Sequence, residues 1–109
     1  MYAEQAVEVT LPIGAPYTLA LVAATSSASI DLTANVPGLV GPPYGQFVLM
    51  SCTAAWTVRS GSADPGPALS SDFPLQANTV YRFKITPQTF VARFFSTAGG
   101  TLSVALSSR

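Results

Sequence analysis

Histidine is absent from this chain, and charge is scarce: five acids and five bases in 109 residues. A domain bathed in water usually carries charge on about a quarter of its residues. Without histidine, no Ser-His-Asp or Cys-His nucleophile can form. A single cysteine, Cys52, excludes an internal disulfide and a cysteine-rich zinc site. The five carboxylates, Glu4, Glu8, Asp31, Asp64 and Asp72, show no paired spacing in sequence. Gly99-Gly100 is followed by no helix pattern and no Gly-Lys-Ser, so it reads as a turn and not as a phosphate cradle. No enzyme activity, metal or cofactor is therefore expected. The net charge is zero, a poor footprint for nucleic acid. The longest apolar run, Leu19 to Ala24, falls far short of the roughly 20 residues of a bilayer-spanning helix, so no membrane partner is expected. The opening Met1-Tyr2-Ala3-Glu4-Gln5 has no base and no apolar segment behind it, unlike a secretory signal. Assembly in a cytoplasm is the expectation.

What is present is apolar: 49% of the residues are hydrophobic. Too few ionic groups remain to cover such a chain, which implies a surface occupied by other protein in the working state. Residues 1–109 have room for one domain and one core, with 1–16 as an N-terminal arm or first strand. Nine prolines and eight glycines leave few windows for a helix. Period-two alternation predicts strands instead. Val7, Val9 and Leu11 alternate with Glu8 and Thr10; Tyr17, Leu19 and Leu21 with Thr18 and Ala20; Trp56 and Val58 with Thr57 and Arg59. Ile30 and Leu32 flank Asp31, and Phe47 to Cys52 suits a strand buried on both faces. The expected fold is all-β: a single antiparallel β-sandwich or jelly-roll-like barrel of about 7–9 strands.

The C-terminal third predicts a three-stranded meander. Tyr81, Phe83 and Ile85 alternate with Arg82 and Lys84, a turn over Thr86 to Thr89 follows, and Phe90 to Phe95 makes the next strand. A second turn, Ser96 to Gly100, leads to Leu102, Val104 and Leu106. Tight closure of both turns sets Ile85 against Phe90, Phe83 against Ala92 and Tyr81 against Phe94, then Phe94 against Leu102, Ala92 against Val104 and Phe90 against Leu106. All nine residues then share one apolar face.

Charge is divided along the chain. Residues 1–58 hold Glu4, Glu8 and Asp31 and no base; residues 59–109 hold Arg59, Arg82, Lys84, Arg93 and Arg109 against Asp64 and Asp72. In the meander register Arg82 lies opposite Arg93 with Lys84 beside them, a repelling cluster that invites an anionic neighbour. That neighbour is an acidic patch on another protein or the acidic N-terminal part of an adjacent copy; the alternative is a solvated face that discourages edge pairing. A head-to-tail contact between copies closes into rings such as trimers. The irregular stretch 33–45 is unusually apolar for a loop, through Val36, Leu39, Val40 and Tyr44. The expected partner contacts are Val36, Leu39, Val40 and Tyr44 with the N-terminal strand, then Arg82, Lys84 and Arg93. Cys52 reads as a small core hydrophobe or a reactive thiol. Trp56 reads as a core or interface anchor, or as a stacking platform for a sugar or a base.

Four stretches together resemble a family of small tailed-phage virion proteins: Tyr17-Thr-Leu-Ala-Leu-Val22, Gln46-Phe-Val-Leu-Met-Ser-Cys-Thr-Ala-Ala-Trp-Thr-Val-Arg-Ser-Gly61, Phe73-Pro-Leu-Gln-Ala-Asn-Thr-Val-Tyr-Arg-Phe83, and Val91-Ala-Arg-Phe-Phe-Ser-Thr-Ala-Gly-Gly-Thr-Leu-Ser-Val-Ala-Leu106. The resemblance covers most of residues 17–106 and lies in generic β-sandwich grammar. It implies a non-enzymatic structural role in a virion assembled in a bacterial cytoplasm. The first such role is a capsid cement or decoration protein bound to the major capsid protein or another virion protein. The resemblance leaves a small tail or fibre component as an alternative; a rival reading of the residues is a module binding a host glycan or receptor, with Trp56 or the tyrosines as a stacking platform. The resemblance carries over no active-site residue.

Overall fold

Alternating apolar and polar positions form strands with one buried face, and two such faces close on each other. The computed structural model describes residues 11–40 and 45–108. In these, eight strands are β1 (Pro12–Leu21), β2 (Ile30–Asp31), β3 (Phe47–Cys52), β4 (Trp56–Gly61), β5 (Phe73–Leu75), β6 (Tyr81–Lys84), β7 (Val91–Phe95) and β8 (Gly100–Ser107), with one short helix, α1 (Leu32–Asn35). They make two antiparallel sheets, the first in the order β1-β8-β3-β6 and the second in the order β2-β7-β4-β5. The pairs are nested: β1 with β8, β2 with β7, β3 with β6 and β4 with β5. The chain thus runs as a long double ribbon rolled over itself, the connectivity of a jelly roll. The expected all-β sandwich is what forms. The expected strand through Val7 and Val9 lies outside the described residues.

The core is the space between the sheets. Val48, Met50 and Cys52 of β3 and Leu102 and Val104 of β8 meet Trp56 of β4 and Ala92 and Phe94 of β7. Cys52 is therefore a buried core residue. Prolines stand where a ladder N–H is dispensable: Pro12 and Pro16 on edge strand β1, Pro74 on edge strand β5. Between Ile13 and Tyr17 the β1–β8 register shifts, with Gly14 at φ +71°.

The C-terminal meander does not form. β6 pairs with β3, β7 with β4 and β2, and β8 with β1 and β3. Each turn carries the chain from one sheet to the other. After β6, the Ile85 N–H donates to the Gln46 carbonyl, holding the chain beside β3 as it leaves the sheet. Hydrogen bonds within Thr86–Thr89 then shape the crossing. All nine residues assigned to one apolar face still face the core or pack against it, but from two facing sheets. Alternation fixes which side of a strand is apolar; it is silent on which strand pairs with which.

Stretch 33–45 is also built differently from the expected contact loop. The Asp31 carboxylate caps α1, accepting from the Thr33 N–H at 3.0 Å and the Thr33 hydroxyl at 2.6 Å. The following turn bonds Val36 N–H to Leu32 C=O and Leu39 N–H to Val36 C=O. Leu32, Val36 and Leu39 are buried in the domain's own core. Val36 and Leu39 therefore have no surface left for a partner. Val40 is 54% exposed, and Tyr44 lies outside the described residues.

Candidate functional site

The two outer faces of the sandwich are unlike, and the difference starts with charge. On the second sheet, Arg59 of β4 stands directly opposite Arg93 of β7. This corrects the expected pairing of Arg93 with Arg82, which lies on the other sheet opposite Leu49. The chain between β4 and β5 folds back over this second sheet and supplies both counter-ions. Arg59 Nη2 lies 2.8 Å from Asp72 Oδ1, and Arg93 Nη1 lies 3.2 Å from Asp64 Oδ1. Arg93 Nε also donates to the Ser27 carbonyl, and the Thr57 hydroxyl donates to the Leu69 carbonyl. Ala68, a buried residue of the fold-back, donates its N–H to Ser26 Oγ. This face is covered and neutralised by the chain itself.

The same bonds hold both aspartates' carboxyls below their ordinary value of 3.8. For Asp64 the Gly66 N–H acts first and Arg93 second. For Asp72 the Arg59 guanidinium acts first and the Leu69 N–H second. With Asp31 occupied in capping α1, each described carboxylate has a structural task. Among the described residues no group of histidine, cysteine, aspartate and glutamate is arranged to hold a metal ion.

The outer face of the first sheet is bare by comparison. The outward positions of its two central strands are small or apolar: Leu49 and Ser51 on β3, Ser103 and Ala105 on β8. Ser103 sits between Thr18 and Ser51, and Leu49 between Ala105 and Arg82. Small side chains lower the floor, while the irregular start of β1 (Pro12, Gly14, Pro16) stands along one side and Val80 and Arg82 along the other. The result is a groove of about 490 Å³, lined mostly by apolar surface. Val80, on its rim, is 63% exposed. Of the expected contact residues, Arg82 lines this groove and Lys84 follows it two positions along β6. The Arg82 guanidinium lies 3.6 Å from the Phe47 ring centroid and the Lys84 ammonium 6.0 Å from it. Cation–π contacts of this exposed kind contribute about 0.5–1 kcal/mol. Neither cation has an acidic partner among the described residues.

The groove floor was missed from the sequence. Its signal was there, however: the outward residues of β3 and β8 carry no charge, where a solvated sheet face normally does. Trp56, considered as a stacking platform, is buried among Tyr81 and Phe94, with ring centroids 6.3 and 6.1 Å away. Its indole N–H has no hydrogen-bond partner among the described residues. No family model matches the chain, and neither does any curated protein or solved structure.

Proposed function

We propose that this chain is a non-enzymatic structural protein of a virion, acting as a capsid cement or decoration protein on a phage head. In this reading the outer face of the first sheet docks between shell subunits. The supporting observation is the asymmetry of the two faces. One is roofed by the chain's own residues with its ions paired, and the other exposes a mostly apolar groove of about 490 Å³ whose one charged lining residue, Arg82, has no acidic partner among the described residues. Apolar grooves left open on a chain with so few charges mark a surface meant for another protein. The mechanism is burial: a standard interface covers about 800 Å² per partner, and each buried apolar Å² stabilises by about 25 cal/mol before the costs of association. Bound between neighbouring subunits, the protein adds that burial to the shell and opposes their separation. The major capsid protein is the proposed partner, and assembly takes place in the host bacterial cytoplasm.

The test is a purified particle. Imaging should place the chain on the outside of the head with the first sheet toward the shell, and stripping it should lower the temperature at which the shell opens. A position in the tail or a fibre, or a shell indifferent to its loss, defeats the reading. Of the residues the glycan-binding alternative would stack a sugar on, Trp56 or the tyrosines, Trp56 is buried.

A further inference from the structure

Arg82 lines the groove and Lys84 stands two positions beyond it on β6, with no carboxylate paired to either among the described residues. Among the described residues Asp64 and Asp72 are paired with Arg93 and Arg59, and Asp31 caps α1. Arg82 and Lys84 make no ion pair there. The remaining side-chain carboxylates of the chain are Glu4 and Glu8, both in residues 1–10, outside the described residues. That segment also carries Ala6, Val7 and Val9. It combines apolar side chains for an apolar floor with negative charge for a positive rim. Ten extended residues span about 33 Å, more than the roughly 14 Å of three strand spacings between β1 and β6.

The segment's own groove is poorly placed to receive it. Leu11 donates its N–H to Ser108 Oγ and accepts from the Ser108 N–H, so at this point the chain still runs along β8. Ser103 and Ala105 of the floor lie further along that ladder, past the Pro12–Ser107 pair. To reach them the chain would have to double back just before Leu11. Val7-Glu8-Val9-Thr10 contains no glycine, proline, asparagine or aspartate, and two of its last three residues before the reversal point are β-branched and stiff.

We propose that the groove on the first sheet receives residues 1–10 of a second copy of this chain, so that the linked copies, and not the bare groove of one copy, would meet the shell in the proposed function. Val7 and Val9 cover its floor, and Glu4 and Glu8 meet Arg82 and Lys84. A contact of this kind joins unlike surfaces, head to tail, and closes into a ring such as a trimer where the rotation between copies allows it.

Sedimentation of the 109-residue chain over concentration and salt tests this. The wild type should self-associate, more weakly as salt rises. Arg82→Glu with Lys84→Glu should weaken association about tenfold or more, and Glu4→Lys with Glu8→Lys added to the same chain should restore it. The neutral variant Arg82→Gln with Lys84→Gln gives an intermediate loss and guards against misfolding of the reversed one; far-ultraviolet circular dichroism checks both. A wild type that stays monomeric overturns the proposal, as does association that ignores salt and both charge reversals. A monomer whose melting temperature falls on reversal at Arg82 and Lys84 and recovers with Glu4→Lys and Glu8→Lys shows the segment seated on its own chain, which also overturns it. Self-association is read on the purified protein, so its failure leaves the shell-binding reading standing, and the converse holds.

Discussion

Arg59 and Arg93 face each other across β4 and β7, and each guanidinium is held by its own aspartate from the chain segment folded over them. Two like charges side by side repel, so the arrangement depends on both carboxylates being ionised. The Asp72 side chain is 16% exposed and that of Asp64 57%. Asp72→Asn is therefore expected to lower the melting temperature more than Asp64→Asn does. Equal effects would show that the two pairs are equally screened by solvent.

The same pairs set the response to acid. Both carboxyls sit below their ordinary 3.8 in the folded chain. A carboxyl depressed by folding binds fewer protons folded than unfolded. The stability it contributes is complete above the unfolded value and is lost as pH falls through the folded one. The melting temperature should be level from about pH 7 to pH 5 and drop below about pH 4. In the double variant Asp64→Asn with Asp72→Asn that drop should shrink; an unchanged acid limb would assign it to other groups.

Leu39 and Val40 are neighbours with opposite fates. Leu39 is buried in the core and Val40 is 54% exposed. Leu39→Ala should cost about 2–5 kcal/mol in a denaturant titration, and Val40→Ala no more than about 0.5 kcal/mol. A small effect at Leu39 would return this stretch to the candidate contacts.

Gly100 begins β8 at φ +119°, and a Cβ there would lie 2.8 Å from Thr53 Oγ1 and 3.2 Å from Ala54 Cβ. Thr53 Oγ1 has little freedom to move, because it accepts the Thr101 N–H at 2.9 Å. Gly45 has nearly the same φ, +120°, and no described residue lies within 4 Å of a Cβ there. Gly100→Ala should destabilise by about 1–3 kcal/mol, and by more than Gly45→Ala, the difference measuring the clash apart from the backbone strain.

Ser103 lies on the floor of the groove. Ser103→Arg should leave the fold within about 1 kcal/mol of wild type, since the residue faces outward, and should abolish binding to stripped particles. A variant that binds as well as wild type would move the docking surface elsewhere.

The inward set of residues was legible in the sequence. Tyr81, Phe83, Ile85, Phe90, Ala92, Phe94, Leu102, Val104 and Leu106 all reach the core, because period-two alternation is a local property of an extended chain. The site was only half legible. Arg82 and Lys84 stand at a candidate surface, but Arg93 proves to be neutralised by Asp64, and Val36 and Leu39 prove to be core. The apolar character of stretch 33–45 was read correctly; its destination was not, since a loop can bury such residues inward as readily as against a partner.

Alternation and composition by themselves determined an all-β sandwich, its inward-facing residues, and the shortage of charge for its surface. Only the tertiary structure decided that β6, β7 and β8 alternate between sheets, that Arg93 meets Arg59 instead of Arg82, and that one outer face is roofed while the other holds a groove. Strand pairing and loop placement depend on contacts between residues far apart in the chain. Local period carries no information about which distant partner, among several with equally suitable faces, releases the most free energy on packing.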